Sequence, residues 1–379
     1  MDAHSSRVYT AARTVVLLSS GPHANPAGHE HVSRMCLASK LANLLACEFG
    51  GEFDPALNYD ALPYFIPDDT LASLELAHRL GIRDTSNLFG GVVPYPFVAT
   101  KTITHPLFTA EAQAPAGWSH AFGTQVRDVV LPGYSAFAPT DALQAATRLL
   151  GQGSVRMKKA SGRGGCDQQV ISDAALLDAA LQTVDATEWR DSGVVFECNL
   201  NQAVTYSVGQ VQVGSVLATY CGTQQTTIDS IGREVYGGSH LTVVRGGFDA
   251  LLALDLGQAA RTAVDQARVY HAAAMTAFPG MFASRCNYDI AQGVDDRGQW
   301  RSGVLEQSWR IGGASGAEIA ALEAFQADLA LDVVCASTTE IYQADPALPT
   351  GAMVYCRHVD PRVGPIVKYA LLEKYAQPR

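Results

Sequence analysis

Long apolar runs are missing from this chain. No stretch of its 379 residues approaches the roughly 20 consecutive apolar residues that a membrane helix needs. The run "TVVLLSS" at 14–20 is too short for a secretory core and is followed by no small-residue cleavage site, so it reads as a first strand. Runs of lysine and arginine are missing too. With 27 basic against 37 acidic residues and a formal net charge of −10, a broad phosphate-tracking surface for nucleic acid is excluded, while pockets for small anions are not. The eight cysteines (36, 47, 166, 198, 221, 286, 335, 356) contain no C-x-x-C pair. In a chain without a leader they are expected to be reduced core residues. Neither the Walker spacing nor the dinucleotide glycine fingerprint occurs. The expectation is a cytoplasmic enzyme of two or three domains with no membrane or nucleic-acid partner.

What is present is an alternation of strand-like and helix-like segments. "RTVVLLSSG" leads through a Gly/Pro/Asn loop into a helix with Val32, Met35, Leu41, Leu44 and Leu45 at spacings of three and four. "LPYFIPDD" reads as a second strand, with Asp69 or Thr70 capping the helix that follows. This predicts a small parallel α/β layer. After an irregular stretch the cadence changes. A helix "PTDALQAATRLLG", a strand "SVRMKKA" and a Gly-rich turn precede a helix "DAALLDAALQTV" and the strands "GVVFECNL", "TYSVGQVQVGSVLATYCGT" and "HLTVVRGG". A long helix near 255–276, two strands joined at "DDRGQ" and a helix from near Ala317 complete the reading.

Three segments carry chemistry. In "VRMKKASGRGG" a strand delivers Lys158 and Lys159 beside a flexible loop with Gly162, Arg163, Gly164 and Gly165. Such a loop can close backbone N–H groups over an anion, or can be a hairpin with a solvated lysine. In "GVVFECNL" an apolar strand ends in Glu197, beside Phe196 and Leu200. Such an end can offer an adenine ring a slot with one donor and one acceptor, or can be an edge carboxylate facing water. Asp289 in "NYDIAQG" and Glu306 in "GVLEQSWRIGG" lie on consecutive strands, where antiparallel pairing would bring them together as hard oxygen ligands for Mg²⁺. The alternative is that Glu306 simply pairs with Arg310.

The order of these pieces resembles the ATP-grasp superfamily over roughly residues 125–320, and the whole chain is similar to an uncharacterised bacterial family sometimes labelled biotin-carboxylase-like. The resemblance implies a mixed α/β (α+β) fold. Residues 1–104 would form a small parallel pre-ATP-grasp-like domain and 105–124 a connection. Residues 125–200 would form a lid subdomain, and 201–379 a C-terminal subdomain with the metal strands, both built on antiparallel sheet. It implies that Lys158 holds the α- and β-phosphates of ATP and that Gly162–Gly165 form the mobile lid, with Arg163 an extra cation. Glu197 would stand beside adenine, with backbone groups of Cys198 and Leu200 as ring partners, and Lys101 would be the earlier nucleotide-contacting lysine. Asp289 and Glu306, with Ser308, would hold Mg²⁺ or Mn²⁺. Arg310 would steady the transferred phosphoryl group.

Two positions depart from the family pattern. Ser308 replaces a metal-binding Asn, and Val204, beside Thr205, stands where many relatives carry a ribose-binding acid. The implied activity is a carboxylate–amine or carboxylate–thiol ligase acting on a small-molecule carboxylate and a nucleophile. A nucleotide-binding protein without turnover, or a small-molecule kinase, is the alternative. A homodimer is the default assembly. His29 and His31 read as a helix start with solvated histidines, with a metal pair as the other reading. The polar run at 220–240 reads as the wall of an acceptor pocket or as a long hairpin loop.

Overall fold

The computed structural model describes residues 13–19, 25–160, 162 and 167–375. Arg163, Gly164 and Gly165 of the expected lid lie outside these residues. The first layer contains β1 (Thr14–Leu18), α1 (His29–Leu44), β2 (Glu48–Glu52) and β3 (Tyr64–Pro67), with β1 between β2 and β3 and both pairings parallel. Strands running the same way need a crossover that covers a sheet face, and α1 supplies one. Its buried stripe is Leu37, Ala38, Leu41 and Ala42, with Val32, Leu44 and Leu45 of the expected face packed against the same core, while Met35 is exposed. The next helix, α2 (Leu74–Arg79), is capped by Ser73, whose hydroxyl accepts from the Leu76 N–H. The expected cap at Asp69 or Thr70 is therefore corrected: the helix starts later, and Asp69 is left to turn elsewhere.

After β4 (Gly91–Val92) and α3 (His120–Gln125) comes an antiparallel unit. It contains β5 (Gly133–Ala136), α4 (Pro139–Leu150), β6 (Val155–Lys159), β7 (Gln168–Ile171), α5 (Ala174–Leu181), α6 (Ala186–Asp191) and β8 (Val194–Cys198). Its sheet order is β5-β8-β6-β7. α4 begins with proline at its first position, where a missing N–H costs nothing. The helix buries Ala142, Ala146 and Leu149 on Val155, Met157, Val194 and Phe196. This leaves the other face of the sheet to Arg156, Lys158 and Glu197.

The larger sheet holds β9 (Asn201–Val213), β10 (Val216–Ile228) and β11 (Glu234–Arg245), then, after α7 (Phe248–Leu252), α8 (Gln258–Ala277) and β12 (Phe282–Ala283), β13 (Arg285–Val294) and β14 (Trp300–Ser308). It is completed beyond α9 (Ser315–Ala327) by β15 (Val333–Ile341), β16 (Met353–Asp360) and β17 (Gly364–Lys374). The order is β14-β13-β9-β10-β11-β15-β17-β16, antiparallel throughout. One face packs on α1 and α9 through Val211, Tyr220, Leu241, Val243 and Phe325, a core shared with Val15 and Leu17 of β1. The opposite face takes α8 through Ala263, Val264, Ala267 and Tyr270. A parallel layer followed by two antiparallel sheets is the α/β class expected from the sequence. Two features differ. The 220–240 run is not a long loop but the β10–β11 hairpin, closed by a tight turn in which the Asp229 N–H donates to the Arg233 carbonyl at 2.9 Å. Strands β15 to β17 were not anticipated.

Candidate functional site

Because β6 and β8 run antiparallel with Arg156 opposite Glu197, Lys158 sits diagonally from Glu197 on the same face. Lys158 Nζ lies 2.6 Å from Glu197 Oε1, and His105 Nε2 lies 3.1 Å from Glu197 Oε2. All three side chains are buried, Glu197 with 1% of its surface exposed and His105 with none. Burial alone would push the Glu197 carboxyl up. The charge of Lys158, followed by the hydrogen bond from His105, overcomes it and holds the group at about 2.

The second half of the site comes from the edge of the large sheet. β13 and β14 pair with Asp289 opposite Glu306, and the register shifts immediately after Asp289. Burial first, and then the negative charge of Glu306, push the Asp289 carboxyl up to about 6. Gln224 and Asn287 donate to its Oδ1 at 2.7 and 2.8 Å. Glu306 is held below the usual carboxylate range: burial opposes this, but Lys101 and then Lys158 outweigh it. Lys101 Nζ stands 2.7 Å from Glu306 Oε2 and donates to the Gly162 carbonyl at 2.7 Å. The structure therefore brings Lys101, Lys158, Gly162, Glu197, Asp289 and Glu306 into one charged cluster where the two antiparallel sheets meet. Glu306 thus has Lys101 as a partner at contact distance, and the Arg310 charge acts on it as well.

Arg310 follows the end of β14, with its Nε 3.6 Å from Asp69 Oδ1 at the end of β3. Its backbone is fixed from beneath by Arg285, which donates to the Arg310 carbonyl at 2.7 Å and the Ser308 carbonyl at 3.2 Å. Arg285 is locked in turn by fully buried Glu318 at 2.7 Å, which also accepts from Tyr220. Trp309 stands fully buried with its indole N–H on the Tyr288 hydroxyl, and Gly91 gives it room: a Cβ there would lie 2.7 Å from that of Trp309. The Ser308 hydroxyl accepts from Arg285 at 3.3 Å, so a cation already faces the oxygen expected to meet a metal. The Cys198 N–H donates to the Pro132 carbonyl, which engages it within the protein. Leu200 joins Leu131 and Ala291, with Cys198 and Leu305 against them, in a small separate apolar cluster. Val204 and Thr205 lie on β9, and Val204 is exposed.

The sequence profile of a family described as a protein of unknown function (DUF3182) matches residues 16–370. The chain belongs to the DUF3182 family. No curated protein matches it. Among solved structures, this DUF3182 chain is similar to the D-alanyl-alanine synthetase A of Vibrio cholerae, at 13% identity and a TM-score of 0.46, over 79% of this chain and 89% of that one. It is also similar to a biotin carboxylase complex from Campylobacter jejuni, at 11% identity and 0.49, over 96% and 87% of the two chains. A third likeness is to the phosphoribosylamine–glycine ligase of Thermotoga maritima, at 12% identity and 0.46, over 96% and 92%. Scores of this size describe a likeness in layout and carry no chemistry.

Sequence reasoning on the DUF3182 chain missed His105, Gln224, Asn287 and the Arg285–Glu318 pair. None stands at a spacing that signals chemistry; each reaches the site only through sheet register or a chain reversal. His29 is also corrected. It opens α1, but its side chain is half-buried rather than solvated: burial, then Lys368, pulls its imidazole below the ordinary value, and its backbone N–H donates to Asp360 at 2.7 Å. Among the described residues no group of three or more His, Cys, Asp and Glu side chains is arranged to hold a metal, and no helix is long and apolar enough to cross a membrane.

Proposed function

We propose that the protein is an ATP-dependent ligase that activates a substrate carboxylate as an acyl phosphate for attack by an amine, a thiol or another nucleophile. The observation that carries this reading is the convergence of two buried lysines and three carboxylates in one cluster. No solvent-facing purpose explains Lys101, Lys158 and Glu197 buried together beside two half-buried carboxylates, since burying ionised groups costs several kcal/mol each unless they are matched. Lys158 and Lys101 are the cations for the nucleotide phosphates, and each is paired with a carboxylate until a phosphate replaces it. The Leu131–Leu200–Ala291 cluster gives the adenine ring an apolar face.

Asp289 and Glu306 suit Mg²⁺ or Mn²⁺. They offer hard oxygen donors side by side, and the Asp289 carboxyl, raised first by burial and then by the Glu306 charge, is one that a divalent cation would relieve. A cation bound there supplies charge neutralisation for phosphoryl transfer. Arg310, held by Arg285, steadies the phosphoryl group and then the acyl phosphate. The chain's own work is positioning and charge matching, which is most of what phosphoryl transfer asks of a protein. With this reading we divide the chain at 1–104, 105–124, 125–200 and 201–379 and take its partners to be a small carboxylate and a nucleophile.

A second reading, a nucleotide-binding protein without turnover, has one observation behind it: the Ser308 hydroxyl is engaged by Arg285. Trapping separates the two. The protein is incubated with ATP, Mg²⁺, a panel of carboxylates and hydroxylamine. The ligase reading expects a hydroxamate with matching release of ADP and phosphate, lost in Lys158→Ala. AMP release would overturn the acyl-phosphate step, and nucleotide binding without any hydroxamate would favour the second reading.

A further inference from the structure

His105 belongs to no pattern in the sequence, yet its side chain is fully buried beside Glu197. Its Nε2 sits 3.1 Å from Glu197 Oε2, and Nδ1 has no partner among the described residues. Glu197 is ionised and can only accept, so Nε2 carries the proton and donates it. The ring edge lies against Gly133, where an added Cβ would stand 2.8 Å from both Cε1 and Nδ1 of His105. The sheet strand next to Glu197 is thus shaped around this imidazole. Lys158 and Glu197 are the charged groups that face it across β6 and β8, and Lys101 lies four residues before it, on Glu306.

A carboxylate with two oxygens, one on a lysine and one on a histidine, has an obvious asymmetry. Lys158 is wanted elsewhere, because a nucleotide phosphate entering the cleft competes for its ammonium. If Lys158 were the only partner of Glu197, drawing it away would strand a buried carboxylate, and that penalty would be charged against nucleotide affinity. His105 removes the penalty by holding the second oxygen. We propose that His105 is a positioning residue that frees Lys158 for the nucleotide: it keeps Glu197 satisfied while Lys158 turns toward the phosphates. This rests on the nucleotide reading of the cleft and specifies how that cleft is poised.

The test is ADP–Mg²⁺ binding by calorimetry to the wild type, His105→Leu, His105→Asn and His105→Gln, each alone and with Lys158→Ala, with near-ultraviolet circular dichroism of the free proteins as the fold control. Leu has no donor, Asn is too short to reach Glu197, and Gln can place an N–H near the position of Nε2. We expect His105→Leu and His105→Asn to bind ADP at least tenfold more weakly, about 1.4 kcal/mol, and His105→Gln to recover most of the loss. In the Lys158→Ala background the His105 substitutions should have no further effect on affinity, because no lysine has to leave. If Leu does not fold, Asn makes the same removal in a polar side chain. Unchanged affinity in folded His105→Asn, or an equal loss with and without Lys158, overturns the proposal and leaves the nucleotide site standing. A wild type that binds no ADP overturns the nucleotide reading itself, and this proposal with it.

Discussion

Replacing Glu197 by Gln keeps the shape of the side chain and removes its charge from between Lys158 and His105. In the folded protein the carboxyl is held at about 2 against an ordinary value of 4.5. At 1.36 kcal/mol per pH unit the difference amounts to about 3 kcal/mol of stability at neutral pH. The same order is expected for breaking a buried ion pair from one side, roughly 3–5 kcal/mol. The sign follows from the depressed value. The contribution is complete above 4.5, where the unfolded chain is ionised too, and is lost as pH falls through about 2. By pH 3 roughly half or less should remain. Urea unfolding followed by tryptophan fluorescence, at pH 7 and at the lowest pH where the wild type stays folded, reads both numbers. A Glu197→Gln protein within about 1 kcal/mol of wild type at pH 7, or a difference that does not shrink in acid, would refute the charge-matched cluster.

Other perturbations test other parts. Glu318→Gln should cost about 3–5 kcal/mol, because it leaves buried Arg285 uncompensated, whereas an Arg285→Met, Glu318→Met pair should lose far less stability and still fail to hold Arg310; paired melts and the hydroxamate assay read the two effects. Mn²⁺ binding in the presence of nucleotide, followed by electron paramagnetic resonance, should strengthen as pH rises through about 6, where Asp289 gives up its proton. That dependence should vanish in Asp289→Asn. Gly91→Ala should destabilise by about 1–3 kcal/mol through overpacking on Trp309, measurable as a lower melting temperature with nucleotide affinity retained.

Much of the cleft was legible in the sequence because its residues sit on strands whose order the sequence displays. A turn at "DDRGQ" between two apolar runs is enough to place Asp289 against Glu306, and the pairing observed is that one. Lys158 and Glu197 were placed at one site by the family resemblance, and their ion pair was not foreseen. The residues that complete these charges were not legible. His105 lies in a segment without periodicity, and Gln224 reaches Asp289 from β10, a strand whose polar end looked like loop. Strands β15 to β17 hid for a related reason. β15, "VVCASTTEI", alternates buried and half-buried positions, but its buried positions include Thr338 and Glu340, so the period of two carries little apolar contrast. The cap of α2 was misplaced because Asp69 and Ser73 are both good cap residues, and only the path of the chain decides between them.

The most direct measurement is the melting temperature of wild type and Lys158→Ala with ADP, with and without Mg²⁺. At about a hundred times its Kd a ligand stabilises the folded state by roughly 2.7 kcal/mol. The nucleotide reading predicts a Mg²⁺-dependent rise in the wild type that is much smaller in Lys158→Ala. No rise in the wild type, or an equal rise in both proteins, would contradict it.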